Sequence, residues 1–194
     1  MKEEIMEMSL FKNRPKADLL DVLFQLNESS PKIAALAYAK AGMPVFPVHR
    51  MANGACTCGN TACKAPGKHP IVRAGFLDAT TDVDKIERWW NEYPDANIGL
   101  PTGHQSGFVV VRASSDKEGV KNFCDLWGNC SDKRKIPNTV DTADDGFDCY
   151  FPHPDGKLPK SPMTLVPGVD ILGDGGYVRS EEHTSELQSH HPIS

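Results

Sequence analysis

Gly107-Phe-Val-Val-Val-Arg-Ala-Ser-Ser-Asp116 decides the fold. Four apolar residues, three of them β-branched valines, run between a glycine and a polar patch without alternation. A strand exposed on one face alternates apolar and polar residues. This one reads as buried on both faces, at the centre of a sheet. It ends at Arg112-Ala-Ser-Ser115, and a helix is expected from Asp116 onward. In sheets flanked by helices, chemistry gathers at the C-terminal ends of central strands. No carboxylate, cysteine or histidine stands at Arg112 or Ser114.

Working outward, Ser115-Asp-Lys-Glu118 has the form of a capping box for a helix reaching Trp127. Upstream, Asn97-Ile-Gly-Leu100 is a brief strand, and Thr102-Gly103-His104 turns the chain into the central strand. His104 reads as a turn residue rather than a catalyst. Thr81-Asp-Val-Asp84 caps a helix through Ile86, Trp89 and Trp90 that Pro94 stops; paired tryptophans on a helix are core residues first. Ser30-Pro31 opens an Ala-rich helix that Gly42 ends. Met43-Pro-Val-Phe-Pro-Val48 is a short strand whose prolines suggest an edge. Downstream, Thr139–Thr142 and Phe147–Phe151 form a hairpin around Ala143-Asp-Asp-Gly146. Val169-Asp-Ile-Leu172 is the last strand, leading to Gly173-Asp-Gly-Gly-Tyr-Val178. Asp132-Lys-Arg-Lys135 is the one basic run and reads as a solvated loop.

The loop of residues 50–74 is long for a segment without regular structure, so a staple or a function is expected in it. It holds Cys56, Cys58, Cys63 and His69. Three thiolates and an imidazole are a tetrahedral Zn²⁺ donor set, so a structural zinc is expected; three free thiols in a loop is the alternative. The other cysteines, Cys124, Cys130 and Cys149, are scattered. The acidic, mixed N-terminus does not read as an export signal, so a reducing, cytoplasmic setting without a disulfide framework is expected. The 194 residues are 39% hydrophobic and 24% charged, with no run long enough for a membrane span. A net charge of −5 gives no global attraction to nucleic acid, so any such binding needs a local basic patch.

Three divisions are expected. Residues 1–28 are an extension with an amphipathic segment, Pro15–Leu26, whose Leu19, Leu20, Leu23 and Phe24 share a helical face. Residues 29–178 are the folded domain. Residues 179–194 break the style of the chain: Arg-Ser-Glu-Glu-His-Thr-Ser-Glu-Leu-Gln-Ser resembles a common short-read sequencing adapter translated in one frame. The native sequence is then expected to be cut off near Val178, and His183, His190 and His191 are not ligand candidates.

Several blocks together resemble one family. They are Ala37–Val48, the cysteine cluster with Pro66-Gly-Lys-His-Pro70, Gly75–Asp82, Trp89-Trp90, Pro94–Leu100 with Thr102-Gly103, and Pro167-Gly-Val-Asp-Ile with Gly173–Val178. In order and spacing they resemble the N-terminal domain of bifunctional DNA primase/polymerases, the prim-pol branch of the archaeo-eukaryotic primase superfamily. The resemblance implies an α/β (α+β) domain with an RRM-like mixed central sheet, flanking helices and a zinc-binding loop. It implies two-metal nucleotidyl transfer with Mg²⁺ or Mn²⁺, with DNA and nucleoside triphosphates as partners and a fused or associated helicase. It places two metal-binding carboxylates at Arg112 and Ser114, a third at Asp170, a phosphate-binding histidine at Asp148 and a basic residue at Leu172. Only Asp170 keeps the expected type.

The leading expectation is therefore a degenerate domain of a replication protein that keeps nucleotide or nucleic-acid binding through Arg112 and Asp148. One alternative is an active enzyme with a metal site rebuilt from Asp116, Asp144, Asp145 or Asp148. The other is a zinc-stabilised scaffold for protein contacts. Against the rebuilt site stands the fixed charge of Arg112, which repels a divalent ion by roughly 4 kcal/mol per unit-charge pair at close range and intermediate dielectric.

Overall fold

A computed structural model describes residues 30–115, 118–128, 139–142, 146–154 and 161–180. The amphipathic segment of residues 15–26, Asp116, the basic run of residues 132–135, Asp144, Asp145 and the tail beyond Ser180 lie outside them.

The central strand forms as read. β5 (Phe108–Ala113) is the middle of a five-stranded sheet ordered β6-β7-β5-β9-β8, with β6 (Thr139–Asp141), β7 (Phe147–Pro152), β8 (Met163–Val166) and β9 (Val169–Leu172). Phe108, Val109 and Val110 are buried at 0–1% exposure, and Val111 at 2%. Even-numbered residues of β5 face one core and odd-numbered residues the other, which is why the run does not alternate.

On the first face, Phe108 and Val110 join Tyr150 of β7 and Leu172 of β9. That face is covered by α1 (Pro31–Lys40), α2 (Val83–Glu92) and a second sheet ordered β1-β4-β10. α1 is Ala-rich because it packs closely, burying Ala34, Ala35, Tyr38 and Ala39. Ser30 caps it by accepting from the Ile33 amide, and Asp82 caps α2 by accepting from Lys85. Of the paired tryptophans, Trp90 is fully in the core and donates to the Ala96 carbonyl at 3.2 Å, while Trp89 sits at its margin under Lys85. The second sheet joins β1 (Phe46–Val48), β4 (Asn97–Pro101) and β10 (Tyr177–Arg179). On the other face, α3 (Gly119–Trp127) lays Phe123 edge-on against Phe147, with Val109, Val111, Ala113 and Ile171 around it.

The fold class is α+β as expected, but among the described residues every pairing in the central sheet is antiparallel rather than mixed. A strand buried on both faces suggests parallel neighbours only when crossover helices do the covering. Here a layer of helices and a second sheet cover one side and α3 the other, around hairpin-linked strands.

Two local expectations change. The helix starts later than expected: α3 begins at Gly119, and Glu118, instead of lying in the first turn, precedes it at φ 53 and lends it no side-chain cap. A β-carbon at Gly119 would collide with the carbonyl oxygens of Gly168 and Ser114. β8 was not expected; Pro167-Gly168 turns it into β9, with a register shift between Thr164 and Val166.

β10 runs one residue beyond Val178. Arg179 pairs with Gly99, its side chain donates to the Gly67 carbonyl at 3.2 Å, and Ser180 Oγ lies 3.1 Å from Tyr38 Oη. Ladder bonds are made by backbone groups and are indifferent to the side chain. Cys124 is disulfide-bonded, whereas Cys56, Cys58, Cys63 and Cys149 are free, so one of the scattered cysteines is not the thiol expected. The remaining cysteine, Cys130, lies outside the described residues. Among the described residues no helix is long and apolar enough to cross a membrane.

Candidate functional site: a cross-strand ion pair and a cysteine–histidine cluster

β-Sheet register brings the expected catalytic positions together. Arg112 is the direct cross-strand partner of Asp148 on β7 and of Asp170 on β9. Val140 stands opposite Asp148 and Thr164 opposite Asp170, so one row crosses the whole sheet. Parity puts Arg112, Asp148 and Asp170 on the face of Val110, Tyr150 and Leu172, where the apolar layer ends.

Arg112 grips Asp148 with two bonds: Nε donates to Oδ1 and Nη2 to Oδ2, both at 2.7 Å. The Asp148 side chain is 4% exposed and that of Arg112 is 37% exposed. Both carboxylate oxygens of Asp148 are thus occupied by a planar guanidinium that does not deprotonate. Next to it on β7, burial first and the Asp148 charge second push the Cys149 thiol up to about 12, so it is an inert core residue. Asp170 receives a hydrogen bond from Thr164 Oγ1 at 2.6 Å. Ser114 is drawn off to the β8–β9 turn: its amide and its hydroxyl both donate to the Gly168 carbonyl, at 2.9 and 3.3 Å.

Hard divalent cations need several carboxylate oxygens at one point. At the positions assigned to three carboxylates stand a guanidinium, a hydroxyl donating to a backbone carbonyl, and one carboxylate held by Thr164. This set does not fit Mg²⁺ or Mn²⁺. The Asp148 expected to approach a metal in a rebuilt site is taken up by Arg112 instead. Asp144 and Asp145, its other candidate ligands, lie outside the described residues.

The second group sits in the loop between β1 and α2. A two-stranded hairpin, β2 (Met51–Ala52) with β3 (Ala55–Cys56), starts the curl. Both ends of the loop are fastened beside β1: the His49 amide donates to the His69 carbonyl and the Ile71 amide to Pro47, each at 2.9 Å. One donor atom each from Cys56, Cys58, Cys63 and His69 lie within 4.8 Å of one another. Cys56 Sγ is 3.5 Å from His69 Nε2 and accepts from the Gly67 amide at 3.3 Å.

Burial pushes the Cys56 thiol up, but hydrogen bonds from the Gly67 amide, then the Cys58 amide, then the Cys58 thiol and His69, outweigh it and bring it down to about 6. Burial instead raises Cys63, only partly opposed by the Ala65 amide and reinforced by the neighbouring thiols. Beside His69, His49 packs its ring at 4.4 Å and has its Nδ1 3.0 Å from Thr57 Oγ1. Burial and then His69 hold the His49 imidazole below its ordinary value, towards the neutral form. The donor set and its supporting shell fit a tetrahedral metal, which would cross-link the loop.

A third group was not expected. His104, in the turn before β5, meets Asp174 and His153, which approach from two other loops. Asp174 lies in the Gly-rich run after β9 and His153 just beyond β7. Neither neighbourhood, taken locally, points to the other.

No curated protein matches the chain in a sequence search. A family model does match, over residues 35–191: "Bifunctional DNA primase/polymerase, N-terminal". That span includes the β7-β5-β9 row and the cysteine–histidine loop, and the chain belongs to this prim-pol family, as a DNA primase/polymerase-like domain.

Proposed function

We propose that this domain has lost, or nearly lost, nucleotidyl transfer and serves a replication protein by binding nucleotide or nucleic acid. The observation that supports this most is the bidentate Arg112–Asp148 pair, which sets a cation where the resemblance expects a metal-binding carboxylate. Arg112 is open enough for a phosphate to reach it, in competition with Asp148. Asp170 is the one carboxylate of the expected three, too few for two-metal chemistry.

Primer extension with Mn²⁺ and deoxynucleoside triphosphates on a primed DNA template tests this reading. The expected result is no template-dependent product above that of an Asp170→Asn variant. Product that Asp170→Asn abolishes would refute the degenerate reading in favour of an active enzyme. Fluorescence anisotropy with labelled primer–template and with a labelled nucleotide tests binding. Failure of both would favour a scaffold for protein contacts.

We also assign Zn²⁺ to Cys56, Cys58, Cys63 and His69. Convergence of four soft or borderline donors within 4.8 Å supports this assignment, as does the lowered Cys56 thiol. When bound, the ion supplies a cross-link rather than a reactive group, since all four tetrahedral positions are taken by protein.

A further inference from the structure

At the opposite end of β5 from Arg112, three loops converge on one point. His104 lies in the turn between β4 and β5, His153 directly follows β7, and Asp174 lies in the turn between β9 and β10. Arg112 is five residues further along β5 than Gly107, whose carbonyl accepts from the His153 amide at 2.8 Å. At the rise of an extended strand the two ends are roughly 16 Å apart. The group also shares no residue with the cysteine–histidine cluster.

The geometry is tight. One donor atom each from His104, His153 and Asp174 lie within 4.8 Å of one another. His104 Nδ1 is 3.2 Å from Asp174 Oδ2, His153 Nε2 is 3.9 Å from Asp174 Oδ1, and the two imidazole rings are 4.0 Å apart at 53°. The carboxylate is fixed from behind by the His104 amide, which donates to Oδ1 at 2.8 Å. Gly103 permits this approach. It has φ 89, and a β-carbon there would collide with Asp174 Oδ1. Exposure grades across the group: 10% for the His153 side chain, 42% for Asp174 and 68% for His104. One ligand is anchored in the fold and one side is open to water.

We propose that His104, His153 and Asp174 form a second divalent-metal site, distinct from the cysteine cluster and from the carboxylate row. Two imidazoles and one carboxylate are a facial donor set for a borderline transition ion such as Zn²⁺, Co²⁺, Ni²⁺ or Fe²⁺. Metal–donor bonds of about 2.0–2.2 Å bring ligands to roughly 3–3.5 Å from one another, so the present separations close with small side-chain rotations. The single carboxylate rules out an all-oxygen cage for Mg²⁺ or Ca²⁺. The open side leaves positions for water. The ion clasps together the three loops at this end of the sheet.

The test is a Co²⁺ titration of the full chain after chelator treatment, read by visible absorption and by metal analysis. Cobalt bound to thiolates gives an intense ligand-to-metal charge-transfer band; cobalt bound to two imidazoles and a carboxylate gives weak ligand-field bands only. Two ions per chain are expected, one of each kind. His104→Ala, at an exposed position, and Asp174→Asn, which keeps the side-chain shape, are each expected to weaken the second ion roughly tenfold or more and leave the thiolate band intact. Circular dichroism checks that both variants are folded. No ion beyond the one reported by the thiolate band, or a second ion that both variants bind as tightly as the parent, would overturn the proposal and leave a His–Asp ion pair that only clasps the loops.

Discussion

Arg112→Met removes the guanidinium and keeps the apolar stem. It leaves the Asp148 carboxylate, 4% exposed, with no cation at either oxygen. Breaking a buried ion pair from one side costs about 3–5 kcal/mol, because a charge is left desolvated and uncompensated. Arg112 is itself 37% exposed, so water reaches the vacated space and the lower end, about 3 kcal/mol, is expected. In a domain of this size that lowers the melting temperature by roughly 6–12 °C. The reverse truncation, Asp148→Leu, is milder at about 1–2 kcal/mol, because the long Arg112 side chain can turn its head group to water. The double variant extends the apolar face of Val110, Tyr150 and Leu172 across the row and is expected within about 1 kcal/mol of the parent. Urea denaturation of all four proteins, with metal content held constant, closes the cycle, with an expected coupling of about 3–6 kcal/mol. An Arg112→Met cost below about 1 kcal/mol, or single effects that add to within about 0.5 kcal/mol, would refute the view that the pair is a mutually dependent replacement for the metal site.

Installing the expected residues together, as Arg112→Asp, Ser114→Asp and Asp148→His, adds two carboxylates beside Asp170 at the C-terminal end of β5; Mn²⁺ binding followed by electron paramagnetic resonance should appear there in this variant and be absent from that end of β5 in the parent. Cys58→Ser should lose the zinc of the cysteine loop, measured by metal analysis, and become markedly easier to unfold than the metal-loaded parent. In chelator-treated protein, iodoacetamide should modify Cys56 first, with a rate rising through about pH 6 as the thiolate forms, and Cys149 last; a Cys56 midpoint near that of an ordinary thiol would contradict the hydrogen-bond account. Long-read sequencing of the gene is expected to depart from the adapter-like codons after Val178; native codons through residue 191, to which the family match extends, would refute that reading.

What was legible in the sequence was what local pattern determines. Phe108–Val111 could be placed at the sheet centre because an unbroken apolar run needs two covered faces. Ser30 could be named as a cap, and the second helix's cap placed within Thr81–Asp84, where Asp82 supplies it, because a side-chain oxygen three residues before a free amide is a local arrangement. The cysteine–histidine set could be named because its four donors fall within fourteen consecutive residues, Cys56 to His69. What was not legible depends on chain segments meeting at a distance. Arg112 and Asp148 are 36 residues apart, and each looked like a separate loss until the register set them face to face. The strand directions are fixed by which hairpins dock on β5, not by its composition. The later start of α3, at Gly119 rather than Asp116, lies at a point crowded by the Gly168 and Ser114 carbonyls, which no local propensity encodes. His104, His153 and Asp174 belong to three loops, and only the closed sheet brings them together.

The cross-strand pairing of Arg112 with Asp148 also makes the position a ratchet. Changing Arg112 to Asp alone would set three carboxylates side by side across β7, β5 and β9 with no cation between them. Changing Asp148 to His alone would leave Arg112 facing a second potential cation. The step at Arg112 taken first carries the larger folding cost, since it leaves a buried carboxylate uncompensated, whereas the step at Asp148 lets Arg112 turn to water. A variant library aimed at polymerisation should therefore vary residues 112 and 148 as one unit, because the order of single substitutions would otherwise decide which variants survive selection for folding.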